Sequence, residues 1–135
     1  MGRSGLILLD THAVIWLAHE HHRISSRAHA AIQEARKEAR GLAISSITLL
    51  EIARLSSHGR IHLTPDLAAF LSDVELRFTT LPITANIARQ AFELPESYPK
   101  DPVDRVIGAT ALIEDLPLIT ADKEIRKSGA VTTIW

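Results

Sequence analysis

Five short runs of apolar residues recur along the chain and predict the strands of one sheet. The runs are Leu6–Leu9, Leu42–Ser45, Phe78–Ile83, Pro117–Thr120 and Val131–Trp135. The first two are apolar at nearly every position, which is typical of strands that are covered on both faces. We therefore expect a buried sheet with helices packed against each side.

The segments between these runs carry helix signals. In one of them, Ala28, Ile32 and Ala35 repeat at the spacing of a single helix face. The predicted helices are Ala13–Ala18, a helix from Ser25 or Ser26 to Arg40 that ends at Gly41, a helix from a Thr48–Glu51 capping box toward Gly59, a helix starting at Pro65 and Asp66, Thr84–Leu94, and a helix from Asp101 and Pro102 to Asp115. This alternation predicts an α/β fold, a three-layer α/β/α sandwich whose central, mainly parallel sheet has about five strands.

Composition narrows the class of protein. A chain of 135 residues with 46% hydrophobic content and no repeat or linker is expected to form a single domain over residues 1–135. The absence of cysteine excludes a disulfide framework, a thiolate zinc site and a cysteine nucleophile, and it favours the cytoplasm. No apolar run approaches the roughly 20 residues of a membrane-spanning helix, so no membrane association is expected.

The net charge of −1 lacks the basic excess that is typical of a dedicated nucleic-acid-binding protein. This argues against such a partner but does not exclude one. Basic residues could cluster on one face or in a dimer, and a bound divalent cation would reverse the sign of an acidic pocket.

Four acidic residues fall where parallel strands end or where the following helices begin. Asp10 directly follows the first strand run, Glu51 lies in the helix after the second, Asp104 begins a late helix, and Asp122 follows the fourth run. Ligands bind at the carboxyl ends of the strands in an open parallel sheet. The four side chains are therefore expected to converge at one edge.

Each acid also has a purely structural interpretation. Glu51 could close a capping box with Thr48, Asp104 could do so with Asp101, and Asp122 could cap a short helix from Lys123. Asp10 follows a fully apolar strand and is poorly placed for a solvated charge. Asp104 heads the apolar stripe of Ile107, Gly108 and Ala111, which predicts an inward orientation, while that of Glu51 stays open.

Converging carboxylates repel one another, so such a cluster needs protons or a cation. A set of oxygen ligands selects hard ions, and Mg²⁺ or Mn²⁺ would be held by one or two carboxylates while keeping several waters for a substrate phosphate. The predicted cofactor is accordingly Mg²⁺ or Mn²⁺.

Five sequence segments together resemble the successive motifs of PIN domains. They are Leu8–Trp16 (LLDTHAVIW), Ile44–Ile47 (ISSI), Glu51–Ala53 (EIA), Asp101–Ala111 (DPVDRVIGATA) and Leu116–Asp122 (LPLITAD). The resemblance covers nearly the whole chain and is nearest to the VapC toxins of bacterial toxin–antitoxin pairs. Three departures from close relatives are Leu50 in place of Trp, Pro99–Lys100 in place of His-Arg, and Gly108 in place of Ala.

The resemblance implies a site and a function. Asp10, Glu51, Asp104 and Asp122 would be the acidic catalytic and metal-site residues, and the candidates for orienting them or contacting phosphate are Thr11, Thr120, Asp101 and Arg105. The implied activity is metal-assisted hydrolysis of RNA phosphodiester bonds by the toxin of a type II toxin–antitoxin pair. The implied partners are a second copy of the chain, in a homodimer, and a cognate VapB-like antitoxin.

Two other functions stay open at this point. In one, Asp10 is the nucleophile of an aspartyl phosphatase, although His12 stands where such enzymes usually carry a second Asp. In the other, the chain is a non-catalytic module that binds RNA or protein.

Several further residues allow two interpretations. Arg54, Arg105 and Lys123 could contact phosphate or form salt bridges. His19–His22 lacks the i, i+4 histidine pair of a helical metal site and is interpreted as a solvated helix end. Trp16 and Trp135 could stack on bases, but isolated tryptophans are more often core or dimer-interface residues.

Overall fold

A computed structural model of the chain describes residues 5–37 and 41–135. The strands are β1 (Ile7–Leu9), β2 (Leu42–Ser45), β3 (Thr79–Leu81), β4 (Leu118–Ile119) and β5 (Thr133–Ile134). The helices are α1 (Thr11–His19), α2 (Ser26–Lys37), α3 (Ser46–Ser57), α4 (Leu67–Arg77), α5 (Ala85–Ala91), α6 (Pro102–Glu114) and α7 (Lys123–Ser128), and a 3₁₀ turn spans His21–Arg23.

The five strands form one parallel sheet in the order β3-β2-β1-β4-β5. Its central strand, β1, pairs Leu8 with Ala43 of β2 on one side and with Leu118 of β4 on the other. The chain therefore reverses its direction of travel across the sheet beside β1. This is the place where parallel sheets open a crevice at the carboxyl ends of their strands.

Alternate residues of the strands face two separate hydrophobic layers. Ile7 and Leu9 belong to the layer with α1, α2, α3 and α4, whereas Leu8 belongs to the layer with α6 and α7. Leu8 and Leu9 are fully buried. The predicted α/β sandwich with a parallel five-stranded sheet is therefore confirmed.

Most element ends lie within a few residues of the predicted positions. The outer strands are shorter than expected: β3 spans Thr79–Leu81 instead of Phe78–Ile83, and β5 spans Thr133–Ile134 instead of Val131–Trp135. Pairing of β2 with β3 stops at Ser45 and Leu81. Beside β5, the carbonyl of Thr132 still accepts from the amide of Leu118 at 2.8 Å, although Thr132 lies just outside the strand.

The start of α2 agrees with the sequence signal at Ser25 and Ser26. For α2, Ser25 is the cap, because its Oγ accepts from the amide of Ala28 at 3.1 Å. The predicted end of this helix at Arg40 lies outside the described residues.

The capping box predicted from Thr48 to Glu51 is wrong. Helix α3 begins at Ser46 and is capped by Ser45, whose Oγ accepts from the amide of Ile47 at 3.2 Å. Because β2 runs directly into α3, Thr48 is already inside the helix. Its hydroxyl is buried and lies 3.3 Å from that of Thr11.

The glycine at position 108, a departure from the family pattern, makes room for Tyr98. A Cβ built at this position would overlap the Tyr98 hydroxyl and lie within 2.6 Å of its Cζ. Tyr98 is 1% exposed, and within the described part of the chain its hydroxyl has no hydrogen-bond partner. The tyrosine and the glycine thus form a matched pair in the layer below α6.

Within residues 5–37 and 41–135, no helix combines the length and the apolar character needed to cross a bilayer.

Candidate active site

A cleft of about 400 Å³ opens at the carboxyl edge of the sheet beside β1 and β4. All four predicted acids line it. Its lining consists of Asp10, Thr11, His12, Trp16, Glu51, Arg54, Asp101, Val103, Asp104, Ala121 and Asp122. The fold thus brings together residues that are up to 112 positions apart in the sequence.

Asp10 occupies the junction between β1 and α1. One of its oxygens, Oδ1, accepts from the amide of Ala13 at 2.9 Å and caps the helix. Burial raises the pKa of the Asp10 carboxyl above its usual range, while hydrogen bonds from the Thr120 hydroxyl and the Ala13 amide oppose that shift. A cation close to this carboxylate would offset the cost of its burial.

Asp104 lies in the first turn of α6, three residues after the cap Asp101. The Asp101 carboxylate accepts from the amide of Asp104 at 3.2 Å. Burial, together with the negative charges of Asp101 and Asp122, raises the pKa of Asp104 to about 7. Smaller contributions in the same direction come from Asp10 and Glu51. These carboxylates therefore interact electrostatically across the cleft.

Asp122 follows β4 and caps α7 by accepting from the amide of Ile125 at 3.0 Å. Its own amide donates to the Oγ1 of Thr120 at 3.1 Å. Thr120 is fully buried, and its hydroxyl also hydrogen-bonds Asp10. The threonine therefore links two of the acids and restrains their relative position.

Glu51 reaches the cleft from the second turn of α3 and is paired with Arg54. The Arg54 Nη2 donates to Glu51 Oε2 at 2.6 Å and its Nε donates to Oε1 at 3.2 Å. Glu51 is 8% exposed, whereas about half of the Arg54 side chain is exposed. Glu51 is thus the acid of the four that forms an ion pair with a cationic side chain within the described part of the chain.

The donor set suits a hard cation that keeps much of its water. Among the described residues, no group of three or more Asp, Glu or His side chains is close enough to form a complete metal cage. Mg²⁺ is ordinarily bound through one or two carboxylates and several waters, which does not need such a cage. The raised pKa values of Asp10 and Asp104 indicate uncompensated negative charge that a cation would stabilise.

Comparison with known proteins assigns the chain to a family. The model of the PIN domain matches residues 7–130. The chain belongs to the PIN-domain family. Ribonuclease VapC22 of Mycobacterium tuberculosis is 34% identical to it over 131 residues, covering 96% of this chain and 98% of the relative.

Solved structures with this PIN fold include two from toxin–antitoxin systems. The crystal structure of VapBC2 from Rickettsia felis, bound to a DNA fragment from their promoter, has a TM-score of 0.71 at 16% identity, covering 95% of this chain and 96% of the other. A toxin–antitoxin complex from Klebsiella pneumoniae has a TM-score of 0.61 at 26% identity, with 94% and 96% covered. The predicted PIN-like fold is therefore confirmed.

Arg105, a candidate for orienting the acids, contacting phosphate or forming a salt bridge, does not line the cleft. The residue is 8% exposed, and its guanidinium faces backbone carbonyls. The distances from its nitrogens to the carbonyl oxygens of Ala91, Leu94, Pro95 and Tyr98 are 3.1, 3.4, 3.5 and 3.3 Å. Arg105 thus fastens the segment between α5 and α6 to the helix that carries Asp104.

Two aromatic residues of the PIN cleft were not predicted as part of the site. His12 and Trp16 line it from α1, although an isolated tryptophan is more often a core or interface residue. The signal that could have identified them is their spacing, since residues four apart share a helix face. The remaining two candidates, Thr11 and Asp101, both line the cleft.

Proposed function

We propose that this PIN domain is a divalent-metal-dependent ribonuclease and the toxin of a type II toxin–antitoxin pair. The observation that carries the proposal is the convergence of Asp10, Glu51, Asp104 and Asp122 on one cleft. The resemblance to ribonuclease VapC22 over nearly the full length of both chains supports RNA as the substrate.

Asp10, Asp104 and Asp122 are the proposed acids of the Mg²⁺ or Mn²⁺ site, in which one or two of them bind the ion directly and the others reach it through its bound waters. Glu51 is a further acid at the edge of the site. Capping does not prevent ligation, because each carboxylate has two oxygens and several lone pairs. When bound, the ion supplies the Lewis acidity and charge stabilisation that phosphodiester hydrolysis requires. Thr120 holds Asp10 and Asp122 in place through its hydroxyl.

Arg54 is the proposed phosphate contact of the cleft. Its guanidinium lines the cleft beside Glu51, and about half of its side chain is exposed. Bidentate pairing with Glu51 fixes the guanidinium plane. A contact of this kind positions the RNA backbone but does not select its sequence.

The proposed partners are a VapB-like antitoxin and a second copy of the chain, in the cytoplasm. Structures of similar fold are named as VapBC2 with promoter DNA and as a toxin–antitoxin complex, which supports the antitoxin. The homodimer is proposed from the resemblance to the VapC toxins.

A substrate panel tests the proposed activity against the two alternatives. Purified protein, free of antitoxin, is incubated with structured RNA and with a small phosphomonoester, in Mg²⁺ or Mn²⁺ and then in chelator. We expect RNA cleavage that needs the ion and no turnover of the monoester. Monoester turnover alone would indicate an aspartyl phosphatase, and RNA or protein binding with no turnover would indicate a non-catalytic module.

A further inference from the structure

One side of the acid cleft is formed by two aromatic residues that the proposed metal chemistry does not use. His12 and Trp16 lie four residues apart on α1, and their ring centroids are 5.9 Å apart with planes inclined at 52°. His12 is exposed and Trp16 is partly buried. We call this pair the aromatic wall.

The indole of Trp16 is held by two further contacts. The guanidinium carbon of Arg23 lies 4.6 Å from the ring centroid, a cation–π arrangement. The Trp135 ring lies 5.9 Å from it at an inclination of 57°. Since Trp16 also packs against the hydrophobic core, the ring is restrained before any ligand arrives, which lowers the entropic cost of stacking.

We propose that the aromatic wall is a nucleobase subsite, where a base next to the cleaved phosphodiester stacks on Trp16 and His12. The inference rests on the proposed ribonuclease function and names the part of the substrate that this side of the cleft takes. Trp16 lies about 9 Å along α1 from Asp10, at a rise of about 1.5 Å per residue. A nucleotide suits this layout, because it joins a phosphate to a flat ring a short distance away.

The chemistry of the pair favours a base over other flat groups. Unstacked bases of single-stranded RNA and loops are recognised by stacking on Trp, His, Phe or Tyr side chains. Stacking tolerates any base, because every base has a π face. The wall would therefore position the RNA strand relative to the acids and impose little sequence preference of its own.

Removal of single bases tests the subsite directly. Wild-type protein is given a single-stranded RNA that it cleaves, and then copies that lack one base in turn on either side of the cleaved bond. We expect loss of the base at one position to raise KM about 10-fold, the typical worth of one stacking contact, with a smaller change in kcat. If KM does not depend on which base is missing, the inference of a base-binding subsite is wrong.

Variants of the wall complete a double-mutant cycle. In His12→Ala combined with Trp16→Leu, KM for intact RNA should rise by a similar factor, and removal of the critical base should have no further effect. His22→Ala is the matched control, since His22 is an exposed histidine that does not line the cleft. If base removal has the same effect in the wall variant as in wild type, the inference is wrong. Should Trp16→Leu fail to fold, His12→Ala alone is used in the same cycle.

Tryptophan fluorescence measures binding of RNA at the aromatic wall without requiring cleavage. The chain has two tryptophans, so Trp135→Phe leaves Trp16 as the only indole. In chelator, we expect saturable quenching of its emission by the RNA, and weaker quenching by the RNA lacking the critical base. If RNA is cleaved but never quenches Trp16, the subsite fails and the ribonuclease function stands. If RNA is not cleaved at all, the function fails, and quenching alone decides whether the wall binds bases.

Discussion

Three carboxylates at the cleft serve as helix caps. Asp10, Asp101 and Asp122 each accept a hydrogen bond from the amide three residues later. Capping and ligation are therefore compatible roles, because a capping carboxylate keeps lone pairs for other partners. The Arg54 contact of Glu51 could have been anticipated from the i, i+3 spacing, but its bidentate geometry depends on the partial burial of α3.

At the scale of the residue, the raised pKa of Asp104 predicts how stability depends on pH. The folded state binds this proton more tightly than the unfolded chain does, since the pKa rises from 3.8 to about 7. In chelator, the free energy of unfolding should therefore fall as the pH rises between these values. Thermal unfolding from pH 4 to pH 8 measures the effect.

Asp104→Asn is the control for this pH dependence. The substitution removes the titrating group, so the decline in stability should become shallower. A divalent ion should oppose the decline in wild type, because deprotonated carboxylates bind it better. An unchanged profile in Asp104→Asn would show that other groups cause the pH dependence.

The close fit of Gly108 against Tyr98 predicts that substitutions at these two positions differ in their effect on stability. Gly108→Ala should lower the free energy of unfolding by about 1–3 kcal/mol, the usual cost of overpacking. Tyr98→Phe should change it by less than about 1 kcal/mol, because the hydroxyl has no hydrogen-bond partner to lose among the described residues. Denaturant unfolding of the two single variants and the double variant measures both values.

The double variant shows whether the cost of Gly108→Ala depends on the Tyr98 hydroxyl. The hydroxyl is the atom that a Cβ at position 108 would meet most closely. Gly108→Ala should therefore cost less in the Tyr98→Phe background than in wild type. Equal costs in the two backgrounds would contradict the account of this glycine.

At the scale of the element, local sequence patterns predicted the positions of the strands and the start of one helix. The apolar runs located the five strands, and Asp101 followed by Pro102 located the start of α6. The start of α3 was missed because Ser45 caps the helix while it is still part of β2, so no polar loop marks the boundary. Arg105 adjoins Asp104 in the sequence but does not line the cleft, because successive residues on a helix point in different directions.

The role of Arg105 in joining two elements predicts a structural defect instead of a catalytic one. Arg105→Leu removes the guanidinium that donates to the carbonyls of Ala91 at the end of α5 and of Leu94, Pro95 and Tyr98 in the segment before α6. The free energy of unfolding should fall by about 2–4 kcal/mol, since buried acceptors lose their partners. Denaturant unfolding measures the loss, and kcat per folded molecule should change little.

Arg77→Leu is the matched control for that experiment. Arg77 forms an ion pair with Asp73 in which both side chains are more than half exposed, and such pairs contribute about 0–1 kcal/mol. Full stability in Arg105→Leu together with loss of RNA cleavage would restore the phosphate-contact interpretation of Arg105.

At the scale of the whole molecule, strand order decides which distant residues meet. β1 pairs with both β2 and β4, so Asp10 lies between the segments that carry Glu51 and Asp122. The sequence predicted this shared edge from the general behaviour of parallel sheets. It could not predict how close the carboxylates lie, because that distance depends on side-chain packing and on the compensating charge of groups such as Arg54.

The distribution of charge over the whole molecule explains how a chain of net charge −1 can act on a polyanion. The acids are concentrated at the cleft, where burial raises the pKa of Asp10 and Asp104 and repulsion from the neighbouring carboxylates adds to that shift. A divalent ion held there would reverse the sign of the local field. The basic surface expected of a nucleic-acid-binding protein is therefore not required for binding at this position.

The most direct test of the account is the rate of RNA cleavage in Mg²⁺ or Mn²⁺ by single carboxylate variants. Asp10→Asn and Asp104→Asn should each lower kcat by about 100-fold or more, since even the outer partners of metal ligands are worth about 10- to 100-fold. Asp73→Asn, which removes an exposed carboxylate outside the cleft, should keep the wild-type rate. Cleavage that persists in both cleft variants, or that persists in chelator, would contradict the central claim.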